Sequence, residues 1–216
     1  MQLKVAVLTD DGRANLTQET TQKLILRPAE YRKAVENGVR VAFQLKMPGP
    51  GAWQIRAAVV DSASDRIGSA TRFVEIPDVK KGGLALSGLI LRGGSPGDSA
   101  PADPREDAGM RIFKSGQNCT FMYNVFNPLI GQDKQSSLEV QTRILTEGRV
   151  VYEGVPGRIA FGEAPEGTRR RITGQIKLDR QVAAGDYILL VMVRDLLAPS
   201  GQTRTATQFI DFQVRE

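Results

Sequence analysis

Two eleven-residue segments of this chain follow one pattern, and that pattern constrains the fold more than any other feature. Gly51-Ala52-Trp53-Gln54-Ile55-Arg56-Ala57-Ala58-Val59-Val60-Asp61 and Gly185-Asp186-Tyr187-Ile188-Leu189-Leu190-Val191-Met192-Val193-Arg194-Asp195 both read Gly-x-aromatic-x-aliphatic-x-x-x-Val-x-Asp, 134 residues apart. Downstream, Ala70-Thr71-Arg72-Phe73 matches Ala206-Thr207-Gln208-Phe209 at a separation of 136. Upstream, Leu8-Thr9-Asp10-Asp11-Gly12 resembles Leu145-Thr146-Glu147-Gly148, and Val41–Leu45 corresponds to Ile172–Leu178. Ordered matches at one near-constant separation are the mark of a duplicated structural unit.

Each position of the pattern has a physical reading. The alternation is that of a strand with one face in a core. Trp53 and Tyr187 are expected as inward anchors, with Ile55 and Leu189, Ala57 and Val191, and Val59 and Val193 on the same face. Gly51 and Gly185 sit where a turn feeds the strand, and glycine tolerates positive φ there. Asp61 and Asp195 close the strand and can accept from the amides of the next turn.

The same alternation places strands over Gln2–Leu8, Gln22–Leu26, Arg40–Lys46, Ala52–Val60 and Ala70–Ile76 in the first copy. In the second it places them over Leu84–Leu91, Asn118–Asn127, Leu138–Thr146, Arg149–Tyr152, Arg171–Leu178, Asp186–Asp195 and Ala206–Val214. Pro28 to Gly38 reads instead as a short helix, with proline at its start and Asn37-Gly38 at its end. The expected fold class is therefore all-β: two tandem Ig-like or fibronectin-like β-sandwich domains and one short helix near residues 28–37. Ile76-Pro77 to Gly83 marks the boundary, giving domain 1 over 1–79 and domain 2 over 80–216. Domain 1 has too few strands for a full sandwich and is expected either to be small and lean on its neighbour or to lack its first strands. The Gly/Pro/Asp-rich stretch 93–109 is expected to be a flexible loop within domain 2.

Composition narrows the function. The 216 residues include no histidine and one cysteine, Cys119. This removes the Ser-His-Asp triad, the Cys-His dyad, imidazole metal sites, thiolate zinc clusters and any internal disulfide. Cys119 lies at an alternating position with Phe121 and Tyr123, as a buried inert thiol would. The formal charge is +5, and the one dense basic cluster, Arg169-Arg170-Arg171, lacks interleaved aromatics. It reads as a solvated loop, and no nucleic-acid partner is expected. No apolar run reaches the ~18 residues of a membrane span.

Other motifs resolve into ordinary structure. Asp61-Ser62-Ala63-Ser64-Asp65 approaches the metal-ion-dependent adhesion signature, but its last position is Asp65 and it falls in a turn between strands. Asp98, Asp103, Glu106 and Asp107 lack the spacing of a calcium loop. No phosphate-binding loop is present. No catalytic, cofactor-binding or metal-binding residue is assigned, and no cofactor is expected.

Gly51 to Asp61, Ile67-Gly68-Ser69-Ala70, Val74-Glu75-Ile76-Pro77-Asp78-Val79 and Leu84-Ala85-Leu86-Ser87-Gly88-Leu89 resemble the C-terminal region of acidobacterial-type von Willebrand factor A-related domain proteins. Gly185-Asp186-Tyr187 to Asp195 and Phe209-Ile210-Asp211-Phe212-Gln213-Val214 look like the end of those proteins, so the resemblance covers nearly all of the chain. In that family an export signal and a von Willebrand A domain precede this region. The resemblance implies an extracytoplasmic protein with Ig-like modules. It carries over no functional residue, because the family's metal site lies in the A domain. The expected role is a non-catalytic module for protein interaction or for spacing an adhesive domain. The alternative is a carbohydrate-binding sandwich, with Trp53, Tyr31, Tyr123, Tyr152 and Tyr187 as candidate platform residues.

Overall fold

The computed structural model describes residues 2–9, 14–21, 25–39, 41, 44–61, 64–95, 97, 108–163 and 169–215. The chain divides into two compact units, Met1–Asp78 and Val79–Glu216. It is an all-β protein with one short helix.

The first unit contains β1 (Gln2–Thr9), β2 (Ala14–Thr21), α1 (Pro28–Asn37), β3 (Gly51–Asp61) and β4 (Arg66–Ile76). The strands form one antiparallel sheet in the order β2-β1-β3-β4. The long β3–β4 hairpin runs in unbroken register from Gly51↔Ile76 to Asp61↔Arg66. Helix α1 begins as its sequence dictates: Pro28 needs no amide partner in the first turn, and the Glu30 carboxylate accepts from the Arg27 amide at 2.9 Å. It ends at Gly38, whose φ of +77° stops the helix while its amide donates to the Ala34 carbonyl.

Two expectations for this unit need correcting. Residues 25–26, 41 and 44–46 are not in strands, and the remaining residues of the expected strands Gln22–Leu26 and Arg40–Lys46 lie outside those described. On the side of β1 away from β3 the partner is instead β2, whose sequence Ala-Asn-Leu-Thr-Gln-Glu-Thr-Thr has almost no apolar alternation to reveal it.

The second unit contains a single 3₁₀ turn at Val79–Lys81, then β5 (Ala85–Leu86), β6 (Ile90–Gly93), β7 (Ile112–Lys114), β8 (Asn118–Phe126) and β9 (Leu138–Thr146). These are followed by β10 (Arg149–Glu153), β11 (Gly157–Ile159), β12 (Arg170–Lys177), β13 (Gly185–Asp195) and β14 (Thr205–Arg215). One sheet has the order β12-β8-β5, with β6 also on β8. The other has the order β10-β9-β13-β14-β7, with β11 also on β9. All pairs are antiparallel except β14 with β7. The first strand of the sandwich thus starts on one sheet as β5 and β6 and crosses to the other as β7. This partition corresponds to the A-B-E and C-F-G sheets of an immunoglobulin-like sandwich. The expected single strand Leu84–Leu91 is split into β5 and β6 because Ser87 interrupts it, its hydroxyl accepting from the Asn124 amide. The loop expected at 93–109 lies mostly outside the described residues.

The core lies between these two sheets. Cys119, Phe121, Tyr123 and Val125 of β8 face Tyr187, Leu189, Val191 and Val193 of β13 through one buried cluster, together with Phe113 and Phe212. Phe212 packs between Phe113 and Tyr187, with ring centroids 5.9 and 5.5 Å away. In the first unit no described side chain is fully buried.

Candidate interaction face

Strand β13 carries seven consecutive apolar residues, Tyr187 to Val193. A strand with only one face in a core needs half that number. The core takes Tyr187, Leu189, Val191 and Val193, all buried. Ile188, Leu190 and Met192 therefore point to the outer face of the sheet.

Cross-strand register assembles a patch around them. Val150 of β10 pairs with Leu145 of β9, which pairs with Ile188. One row over, Leu190 pairs with Phe209 of β14. Phe209 is 62% exposed and Val150 50%. At ~4.8 Å between strands and ~3.4 Å per residue, these side chains span a footprint of roughly 200 Å².

The charges around the patch are closed on one another. Arg143 reaches Glu153 at 2.7 Å, Arg194 reaches Glu139 at 3.0 Å, and Arg111 reaches Asp211 at 3.0 Å. The Gln213 amide donates to Asp186. The face thus has an apolar centre and a rim of neutralised ion pairs.

Strand β13 is pinned at both ends, which fixes this face. At its start, the Tyr187 hydroxyl donates to the Ala183 carbonyl at 2.9 Å. At its end, the buried Asp195 carboxylate accepts from the Leu129 amide at 2.7 Å and the Leu197 amide at 3.1 Å, with the Arg204 guanidinium 3.5 Å away. Arg204 in turn donates to the Gly82 and Asn127 carbonyls. The expected capping role of Asp195 is present, and it extends to a second loop. Asp61 differs: it is exposed, and its carboxylate accepts from the Ser64 hydroxyl.

The other singled-out residues fall as follows. Gly51 has φ +134°, where glycine is favoured, but Gly185 is not at positive φ; a side chain there meets only ordinary contact with Tyr187. Trp53 is half-buried rather than a core anchor, because the described residues of its unit place no second sheet over it. Of the five aromatics considered for carbohydrate, Tyr123 and Tyr187 are buried, while Tyr31 and Tyr152 are exposed and belong to different units. Tyr152 and Tyr187 line a cleft of about 400 Å³ with Ile144, Val151, Leu178 and Val182. Ser62 and Ala63 lie outside the described residues, as do Asp98, Asp103, Glu106 and Asp107. Among the described residues no cluster of three or more potential metal ligands occurs. Cys119 is fully buried on β8. Arg170 and Arg171 open β12 rather than lying in a loop; Arg170 stands over the Phe161 ring and donates to the Gly162 carbonyl. No helix among the described residues is long and apolar enough to cross a membrane.

Sequence reasoning listed the residues of the face as strand positions without seeing their role. The signal was present in the unbroken apolar run of β13, set against Gln54 and Arg56 at the matching positions of β3.

The fold and this face define an immunoglobulin-like sandwich with an uncovered apolar sheet surface. No family model matches the sequence, and no curated protein matches it. Among solved structures, the chain is similar to the Pseudomonas fluorescens alkylpurine DNA glycosylase AlkC bound to DNA containing an abasic site analog, at TM-score 0.34 and 12% identity over 62% of this chain. It is also similar to the CFA/I enterotoxigenic E. coli adhesin CfaE, at TM-score 0.22 and 9% identity over 79% of this chain. It spans 30% and 60% of the lengths of those chains. Likenesses of that size assign neither a family nor an activity.

Proposed function

We propose that this chain is a non-catalytic, extracytoplasmic Ig-like module that binds another protein through the outer face of β9, β13 and β14. The observation that carries the reading is the outward row Ile188, Leu190 and Phe209, apolar at the centre of a sheet whose other face already fills the core. An apolar patch ringed by polar groups has the centre-and-rim anatomy of a protein interface. Because the rim charges are satisfied within the chain, the partner presents an apolar surface rather than a charged one. The extracytoplasmic setting rests on the resemblance to von Willebrand factor A-related proteins. We also propose that the two units are copies of one ancestral module, of which only the second kept an apolar outer face: Gln54 and Arg56 stand where Ile188 and Leu190 do.

The test exploits that contrast. Peptides are selected from a display library on the immobilised chain, then measured on a variant carrying Ile188→Gln, Leu190→Arg and Phe209→Ser. The expected result is apolar ligands whose affinity falls at least about tenfold, equivalent to ~1.4 kcal/mol, with the far-UV spectrum unchanged. Ligands that bind the variant equally well would overturn the assignment. A glycan panel tests the carbohydrate alternative, for which Tyr152 at the lip of its cleft is the exposed candidate in the second unit; saccharide binding abolished by Tyr152→Ala would establish that reading instead.

A further inference from the structure

The smaller sheet of the second unit carries charge of one sign. Strands β5, β6, β8 and β12 contain Arg92, Arg170, Arg171 and Lys177 and no carboxylate. The larger sheet mixes both signs and closes them into ion pairs. Strand β12 is the outermost strand of the cationic sheet, and among the described residues nothing pairs with its far edge. Its eight residues keep unbroken register with β8, from Arg170↔Val125 to Lys177↔Asn118. Within the second unit the other edges are poorer templates: β10 has a register shift between Val150 and Tyr152, and β5, β6 and β7 are two, four and three residues long.

Arg171, Thr173, Gln175 and Lys177 alternate on the exposed side of β12, with Ile172 and Ile176 buried on the other. Among the described residues neither Arg171 nor Lys177 has an ion-pair partner. Lysine and arginine on an edge discourage pairing with neutral or basic strands. They favour a strand of opposite charge, because cross-strand neighbours of opposite sign attract.

We propose that β12 accepts an extended acidic segment of another protein as an added strand, independently of the apolar face on the larger sheet. Arg171 and Lys177 lie six residues apart on one face, so the segment carries carboxylates at i and i+6. Its intervening side chains are apolar and cover the sandwich rim beside Ile172 and Ile176. A peptide is favoured over nucleic acid because the free edge offers backbone amides and carbonyls. The outward positions of β12 offer no aromatic on which a base could stack.

The probe is a fluorescein-labelled eight-residue peptide alternating glutamate and valine, followed by anisotropy with the full chain. It is expected to bind saturably and to weaken as salt is raised. Arg171→Glu together with Lys177→Glu is expected to cut affinity at least about tenfold, since apposed like charges replace attraction. Both side chains are exposed and unpaired, so the thermal midpoint of the variant should stay close to that of the parent. A peptide with the same side chains but N-methylated at alternate amides keeps its charge and loses strand pairing; it is expected to bind at least about tenfold more weakly. Equal binding of the methylated peptide would reduce the site to bulk electrostatics and overturn the proposal. So would tighter binding of an oligothymidylate of equal charge, or the absence of saturable peptide binding.

Discussion

The Tyr187 hydroxyl donates to the carbonyl of Ala183, four residues upstream, at 2.9 Å. The Trp53 indole makes the same backward bond in the first unit, donating to the Gly49 carbonyl at 3.0 Å. In each case the aromatic is the third residue of the Gly-x-aromatic pattern, and its polar tip ties the preceding turn to the start of a long strand. In the second unit this is the geometry of the tyrosine corner of immunoglobulin-like domains. Tyr187→Phe keeps the ring against Phe212 and removes only that bond. It is expected to lower unfolding stability by about 1 kcal/mol, measured by urea denaturation. A loss above ~3 kcal/mol would show that the ring itself had moved.

Gly174 of β12 pairs with Phe121 of β8, and the phenyl ring occupies the space that a side chain at 174 would fill: a Cβ there would lie 2.1 Å from the ring. Gly174→Ala is therefore an overpacking substitution, expected to cost about 1–3 kcal/mol. Combining it with Phe121→Leu should recover part of that loss, so the two effects should be non-additive in a double-mutant cycle. Simple additivity would mean that the ring does not fill the site.

The Tyr123 side chain is almost wholly buried, and its hydroxyl has no hydrogen-bond partner among the described residues. Burial also raises its ionisation above the ordinary phenol range. Tyr123→Phe is expected to raise stability by about 1 kcal/mol at neutral pH, because an unmet desolvation cost is removed. The pH dependence has a definite sign. The folded state favours the neutral phenol, so this contribution is complete below about pH 10, the ordinary tyrosine value, and is lost as pH rises above it. Wild-type stability should fall more steeply than that of Tyr123→Phe in urea titrations between neutral pH and about pH 11.

Asp195 and Arg204 tie the loop after β8, the turn after β13 and the segment near Gly82 into one polar network. Asp195→Ala leaves two amides without their acceptor and the partly buried Arg204 guanidinium without its counter-charge. The expected loss is about 3 kcal/mol by chemical denaturation. Arg204→Ala should cost less, because Asp195 keeps both amide partners. The reverse order would place the main anchor on the arginine.

Much of the fold was legible because it depends on local rules. Period-2 alternation located β3, β8, β9, β13 and most of β14, and proline with Asn-Gly bounded α1. These signals come from backbone geometry, which each residue carries with it. Strand β2 was illegible because its residues are nearly all polar, and only pairing with β1 makes them a strand. The short strand β7 was illegible because three residues hold no period, and parallel pairing with β14 defines it.

The face of β13 separates the two kinds of information most clearly. The sequence by itself determined that Tyr187 to Val193 is a strand and that it is apolar on both sides. The aromatic at Tyr187 also pointed to Tyr187, Leu189, Val191 and Val193 as the inward set, but the sequence could not determine what lies over the opposite side, because that depends on what the rest of the chain brings there. The tertiary structure decided this by packing Tyr187, Leu189, Val191 and Val193 against β8, leaving Ile188 and Leu190 beside Phe209 on the outer face. Likewise, the charges of β12 are visible in the sequence, but only the sheet order makes that strand an edge. Strand character is a property of consecutive residues. Inside, outside and edge are properties of what the rest of the chain brings alongside.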